Sequence, residues 1–296
     1  MLRSGLIGRT ILDSRSPWLH EQEARAQKLE LSYELFDFSQ RGWPDAALRS
    51  LLPDLRDKGY VGVNVTYPFK QAVIPLLDDL AESAELVGAV NTIAMRDGRL
   101  VGHNTDMQGF RESFVAGLAD APQNRVLQLG AGGAGAAVAS ALLSLGVGAL
   151  DLVDVDPSRA EALAARLAGR FGARRVRAIT QSDLATEQID GIVNASPVGM
   201  AASPGTPIAP ELILPRHWVA DIVYFPLETE LLRMARQKGC RTIDGSGMVV
   251  GQAALAFEIM TGVPAKMERM RRSFFGLEPG DPTGPEAQPS SSAVEG

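Results

Sequence analysis

The chain has 296 residues, 45% hydrophobic and 22% charged, with a formal net charge of −6; this profile fits a globular protein and excludes a disordered chain or a membrane bundle. Its length exceeds the roughly 100–200 residues of one domain and predicts two. The acidic balance gives no field to gather nucleic-acid phosphates, and a single cysteine, Cys240, excludes an intrachain disulfide or a cysteine-based metal cluster and suits a reducing cytoplasm.

The N-terminal MLRSGLIGRT is interrupted by Arg3 and Arg9 and lacks the apolar core of a secretory signal. Segments 5–7, 33–38 and 60–65 read as strands between helical stretches, an α/β rhythm. Ser16 and Pro17 predict a helix start, with serine as N-cap and proline at the first helical position, running over 18–29. A second helix is expected from Pro44 towards Lys58. Residues 91–95 and 99–102 form a predicted hairpin about Asp97-Gly98, two residues that tolerate positive φ. A helix begins near Met107, and Pro122-Gln123-Asn124 reads as a linker.

A second α/β series follows, with strands at 126–129, 150–153, 176–179, 189–194, 218–223 and a short one at 241–243. Helices between them predict a parallel sheet. Residues 126–150 carry no charge, but their Gly, Ala and Ser content and a glycine break favour strand, turn and buried helix over a membrane span. Two further helices, 249–260 and 265–275, are expected to return to the first unit, and the Pro-, Gly- and Ser-rich tail 278–296 to be disordered. The expected architecture is α/β in two domains. Residues 1–106 are expected to form a first domain with a mixed sheet, 107–243 a second domain with a parallel sheet, and 244–277 the returning helices.

Gly130-Ala131-Gly132-Gly133-Ala134-Gly135 stands between an apolar strand and a predicted helix. That is the Rossmann-type dinucleotide arrangement: the first glycine permits the tight turn, the second lets backbone approach a pyrophosphate, and the third lets the helix pack closely. Pyrophosphate then meets the positive helix N-terminus. Asp154 closes the next strand, where a carboxylate would accept hydrogen bonds from the adenosine ribose. With Asp156 nearby and Arg159 the sole basic neighbour, a 2′-phosphate would meet like charge, so NAD is expected over NADP.

Asn64 to Lys70 (NVTYPFK) and Gly102 to Asp106 (GHNTD) each follow a strand, where α/β folds build sites. Together with SRSP at 14–17, GAVNT at 88–92, NASPVGM at 194–200, DIVYFPLETELL at 221–232 and DGSGMVVGQA at 244–253, they resemble the shikimate dehydrogenases over nearly all of the chain before the tail. The resemblance implies reversible hydride transfer between a nicotinamide and C3 of a cyclic polyhydroxy carboxylate such as shikimate or quinate. It makes Lys70 and Asp106 the catalytic pair, with Lys70 the general acid/base. Ser14, Ser16 and Tyr224 would hold the substrate carboxylate, and Thr66, Asn91 and Gln252 the ring hydroxyls. Beside the glycine loop, Asp154 and Arg159, it adds Asn194, Val223, Gly245 and Met248 to the cofactor site.

Two departures qualify it. Asp154-Val155-Asp156 replaces the Asn-Arg-Thr-like string of NADP-using relatives, and His20-Glu21 replaces the His-Asn of biosynthetic members. The first resembles the NAD-dependent quinate/shikimate dehydrogenases, and the second points away from strict shikimate specificity. Competing readings are an NADP-dependent biosynthetic enzyme, an aminoshikimate dehydrogenase, and a non-catalytic NAD-binding regulator, against which Lys70 and Asp106 argue. His20, His103 and His217 are scattered and predict no metal site; they read as structural or surface residues. Trp18, Trp43 and Trp218 read as packing residues, and Cys240 as a small buried hydrophobe. The expected partner is a small molecule, with neither membrane nor nucleic acid, and the protein is expected to be a monomer or homodimer.

Overall fold

The computed structural model describes residues 1–276; the tail expected to be disordered lies outside them. The first sheet takes β1 (Leu2–Gly8), β2 (Leu31–Asp37), β3 (Gly62–Val65), β4 (Asp79–Leu80), β5 (Thr92–Arg96) and β6 (Arg99–His103) in the order β2-β1-β3-β5-β6-β4. β1 runs parallel to β2 and β3, and β5 antiparallel to both β3 and β6. The chain therefore leaves β1, β3 and β6, and enters β5, at one edge of the sheet. Asp97 and Gly98, with φ of 52° and 74°, make the predicted two-residue hairpin turn.

The helices α1 (Ser16–Ala26), α2 (Leu48–Asp57) and α3 (Glu82–Val87) accompany this sheet. Ser16 is the first helical residue, not the N-cap: Arg15 holds the cap position, and the Ser14 hydroxyl accepts from the Ser16 N–H at 3.2 Å. Proline is tolerated throughout a first turn, whose N–H groups lack intrahelical partners, so Pro17 does not mark the boundary to one residue. The helix also stops short of Leu29, because Lys28 takes a left-handed φ of 59°.

α4 (Asp106–Leu118) leads to the second sheet: β7 (Arg125–Leu129), α5 (Gly133–Ser144), β8 (Ala149–Val153), α6 (Pro157–Phe171), β9 (Val176–Ala178), β10 (Gly191–Asn194), β11 (Trp218–Asp221), α7 (Glu230–Gln237) and β12 (Arg241–Ile243). Its order is β12-β11-β10-β7-β8-β9, parallel throughout. This is the doubly wound dinucleotide topology, whose order reverses between β7 and β10. The uncharged run 126–150 resolves into β7, the glycine turn and α5, and no helix among the described residues is long and apolar enough to cross a membrane.

α8 (Ser246–Thr261) and α9 (Met267–Phe274) return to the first sheet. Leu19 of α1 shares a cluster with Val250, Ala253, Met270 and Phe274. Glu23, buried on α1, receives Arg269 at 2.6 Å and the Lys266 N–H at 2.8 Å. Trp18 departs from its packing role, since its ring is 46% exposed and only its indole N–H is held, by the Ser273 carbonyl at 3.0 Å. Trp218 and Cys240 are buried.

α4 and α8 cross in backbone contact. A Cβ on Gly109 would lie 2.7 Å from the Gln252 nitrogen and from the Met248 carbonyl oxygen, and one on Gly251 would lie 2.9 Å from the Gly109 Cα. Only glycine allows this approach, which brings Asp106, at the head of α4, near Gln252. Gly109→Ala is expected to wedge the helices apart and cost about 1–3 kcal/mol, with a drop in Tm of roughly 3–10 °C and a loss of turnover. Gly169→Ala is the control. It lies in α6 with nothing within 4 Å of its added Cβ, so thermal unfolding should show an unchanged or raised Tm.

Candidate active site

At the shared edge of the first sheet, β3 runs into the turn that carries Thr66 and Lys70, β5 begins just after Asn91, and β6 delivers Asp106 to the start of α4. The Lys70 ammonium donates to Asp106 Oδ2 at 2.6 Å, with only 18% and 8% of the two side chains exposed. Asn91 Nδ2 donates to Asp106 Oδ1 at 2.9 Å, and Asn91 Oδ1 accepts the Thr105 N–H at 2.8 Å. Both carboxylate oxygens are thus engaged, which fixes the orientation of the pair.

A buried chain of hydrogen bonds runs on from Asn91 beneath the edge. Thr92 Oγ1 donates to Asn91 Oδ1 at 3.2 Å, Asn64 Nδ2 donates to Thr92 Oγ1 at 3.0 Å, and the Tyr33 hydroxyl donates to Asn64 Oδ1 at 2.8 Å. Beside the Tyr33 phenol lies the Ser16 hydroxyl, 3.2 Å from that of Ser14. Burial pushes the Tyr33 phenol upward, keeping it a neutral donor. His20 stacks on the Tyr33 ring at 4.8 Å, and burial lowers its pKa to about 3, so it is uncharged at neutral pH. The lattice joins the two serines at one end to the Lys70–Asp106 pair at the other.

The second sheet meets this edge at its glycine turn. Gly130, with φ of 104°, is pressed against the next loop: a Cβ there would lie 2.6 Å from the Ala195 carbonyl oxygen. A Cβ on Gly133 would lie 3.4 Å from Lys70 Cδ, so the lysine stem rests on the first residue of α5. No side chain caps that helix at Gly132, which leaves its N-terminus for an anion. Ala131 donates its N–H to Asp154 Oδ2 at 2.7 Å, tying the turn to the end of β8. Arg159 is 63% exposed and pairs with Asp156 at 3.5 Å.

The remaining predicted residues are placed as follows. Thr66 follows β3 with its methyl against Gly8. Gln252 projects from the α4–α8 crossing and donates to the Val249 carbonyl at 3.1 Å. The Tyr224 ring is 42% exposed, while burial of its hydroxyl and, second, the nearby Asp106 charge raise its pKa. Gly245 packs against the Ile222 and Val223 carbonyls, and Met248 is buried with Ala131 and Phe110 in the second core. Asn194 is turned inward: its amide donates to Asp221 Oδ1 at 2.9 Å and to the Val198 carbonyl at 2.8 Å. Among the described residues no group of histidine, cysteine or carboxylate side chains is arranged to hold a metal.

Asp221, which the sequence reading missed, organises the far wall. Buried at the end of β11, its carboxylate accepts from Asn194, from the Val223 N–H at 3.0 Å and from the Thr229 hydroxyl at 2.7 Å. Burial pushes its pKa up to about 6, the Asp244 charge adds to the rise, and the three hydrogen bonds oppose it. A carboxyl held above its ordinary value keeps its proton in the folded state after the unfolded chain has released it. Its contribution to stability is therefore complete below pH 3.8 and is lost as pH rises through about 6. Asp221→Asn preserves the shape without that titration. In thermal melts from pH 4.5 to 8, Tm of the variant relative to the parent should climb, equivalent to about 2 kcal/mol; a flat difference would reject the assignment.

Residues 6–93 match the shikimate dehydrogenase substrate-binding domain, and residues 245–273 the shikimate 5′-dehydrogenase C-terminal domain. A shikimate dehydrogenase (NADP(+)) of Streptomyces avermitilis is 53% identical over 268 residues, spanning 90% of this chain and 92% of the relative. A quinate/shikimate dehydrogenase (NAD(+)) of Corynebacterium efficiens is 45% identical over 276 residues, spanning 92% and 97%. The structure of quinate dehydrogenase from Corynebacterium glutamicum in complex with NAD superposes with a TM-score of 0.86 at 41% identity, covering 93% of this chain and 99% of that one. With its mixed sheet, its doubly wound partner and a glycine turn facing a lysine–aspartate pair, this chain belongs to the shikimate dehydrogenase family of nicotinamide-dependent oxidoreductases.

Proposed function

We propose that the protein catalyses reversible, NAD-dependent oxidation of the C3 hydroxyl of quinate, shikimate or both, giving 3-dehydroquinate or 3-dehydroshikimate. The observation that carries this reading is the Lys70–Asp106 pair, 2.6 Å apart, with the lysine stem against Gly133. An alcohol seated there has a base within hydrogen-bond reach and a dinucleotide seat beside it, the two requirements of its oxidation. The glycine turn, with its open helix N-terminus, suits a pyrophosphate. When bound, the nicotinamide supplies the hydride acceptor. In the reduction direction the Lys70 ammonium gives a proton to the carbonyl oxygen and is left as the neutral amine; in the oxidation direction that neutral amine takes the hydroxyl proton as the carbonyl forms, and Asp106 holds the group in place in both.

Ser14, Ser16 and Tyr224 are assigned to the substrate carboxylate, and Thr66, Asn91 and Gln252 to ring hydroxyls. The hydrogen-bonded lattice supports this division, because it spaces the serines and the lysine along one sheet edge. Residues up to Asp106 form the substrate unit and the following doubly wound sheet the dinucleotide unit.

The preference for NAD rests on charge at the end of β8. Asp154 closes β8 and Asp156 caps α6, where an adenosine ribose would be held, and Arg159 pairs with Asp156 at 3.5 Å. A ribose diol is accepted by carboxylates, whereas a 2′-phosphate is repelled. The relatives named for NAD(+), at 42–45% identity, agree with this reading. Those named for NADP(+), at 38–53%, favour the second one, in which Arg159 leaves Asp156 to meet a 2′-phosphate. Turnover of quinate and shikimate with each dinucleotide decides between them. Activity should concentrate with NAD, and Asp154→Ala should erode the preference. A higher kcat/KM with NADP in the unmodified enzyme overturns the cofactor assignment, and no turnover of either acid overturns the substrate class.

A further inference from the structure

Gln128 is a buried polar residue of β7 in the second sheet, flanked by the buried Val126, Leu127 and Leu129. Its side chain is fully buried, and its amide nitrogen donates to the Gly130 carbonyl at 2.9 Å and to the Gly135 carbonyl at 2.8 Å. Both partners are acceptors, so the nitrogen must face them, and Oε1 is left buried without a partner. A buried unpartnered oxygen is costly, and a leucine at this strand position would avoid that cost. The chain carries that cost where the amide bridges the two ends of the glycine turn.

The geometry shows what the bridge does. The Gly130 carbonyl and Gly135 are crowded: a Cβ on Gly135 would lie 2.3 Å from the Gly130 oxygen and 3.2 Å from the Gln128 nitrogen. Two carbonyls pointing into one buried spot repel each other unless a donor stands between them, and Gln128 supplies both hydrogens. Asp154 holds the outer side of the turn through the Ala131 N–H at 2.7 Å. Held from inside by an amide and from outside by a carboxylate, the turn presents the free N–H end of α5 in one orientation.

We infer that Gln128 is a positioning residue for the dinucleotide: by bridging the Gly130 and Gly135 carbonyls it pre-shapes the seat of the pyrophosphate, without touching the ligand or the substrate side. The inference rests on the glycine turn being the dinucleotide seat. It concerns affinity for the diphosphate, since Lys70, Asp106 and the serines lie on other elements.

Gln128→Met keeps the side-chain volume and removes both donors; Gln128→Leu serves as a second variant should the first fail to fold. Binding of ADP-ribose, which carries the pyrophosphate, and of adenosine, which does not, is measured by calorimetry alongside steady-state kinetics. ADP-ribose affinity should fall about tenfold, the loss expected for one to two net hydrogen bonds of pre-organisation. Adenosine affinity and the KM for shikimate or quinate should stay within about twofold. Unchanged ADP-ribose affinity in a folded variant overturns the inference, as does an equal loss for adenosine and ADP-ribose, which would mark a general loosening of the domain. If the unmodified protein binds no ADP-ribose, the dinucleotide seat itself is misassigned.

Discussion

A lysine ammonium and an aspartate carboxylate, 2.6 Å apart and mostly withdrawn from water, set the constraint to which the rest of the molecule conforms. Removing such charges from solvent is costly, and their mutual attraction offsets the cost only if the geometry is good and the remaining lone pairs are satisfied. Asn91 meets that condition at Asp106 Oδ1, and Thr105 in turn orients Asn91. From there the requirement propagates inward. Each buried polar group needs its own partner, and the line through Thr92, Asn64 and Tyr33 supplies them until it ends beside Ser16.

The proposed chemistry requires the second lobe to bring a dinucleotide to this pair, and two close approaches link the lobes. Where α4 and α8 cross at Gly109 and Gly251, no side chain intervenes, so the helix headed by Asp106 and the one bearing Gln252 come together. At Gly133 the turn comes near enough for the Lys70 stem to lie on it. The loops after β10 and β11 are drawn together by Asp221 in the same fashion, through three hydrogen bonds to a single buried carboxyl.

Much of this was legible in the sequence, because its main signals are local. Strand, glycine turn and helix follow one another at Val126 to Leu145, Asp97-Gly98 dictates its hairpin, and the motif strings name the lysine and the aspartate. What escaped reading depends on sheet order. Tyr33, Asn64 and Thr92 stand on three strands far apart in the chain, and only the order β2-β1-β3-β5 aligns them. Gln128 and Asp221 did carry a signal: each is a polar residue set directly beside apolar residues of a buried strand, where an unpartnered group would be penalised. Helix ends were read within a few residues, since Pro17 is compatible with several starting points and a left-handed Lys28 carries no composition signature.

The central claim is that the Lys70 amine moves the alcohol proton while Asp106 holds it. Steady-state kinetics of Lys70→Ala test it most directly. If the amine takes part in the transition state, kcat and kcat/KM fall together by roughly 10²–10⁴-fold, with little change in KM. A variant with normal kcat and only a raised KM would reduce Lys70 to a binding group and contradict the account.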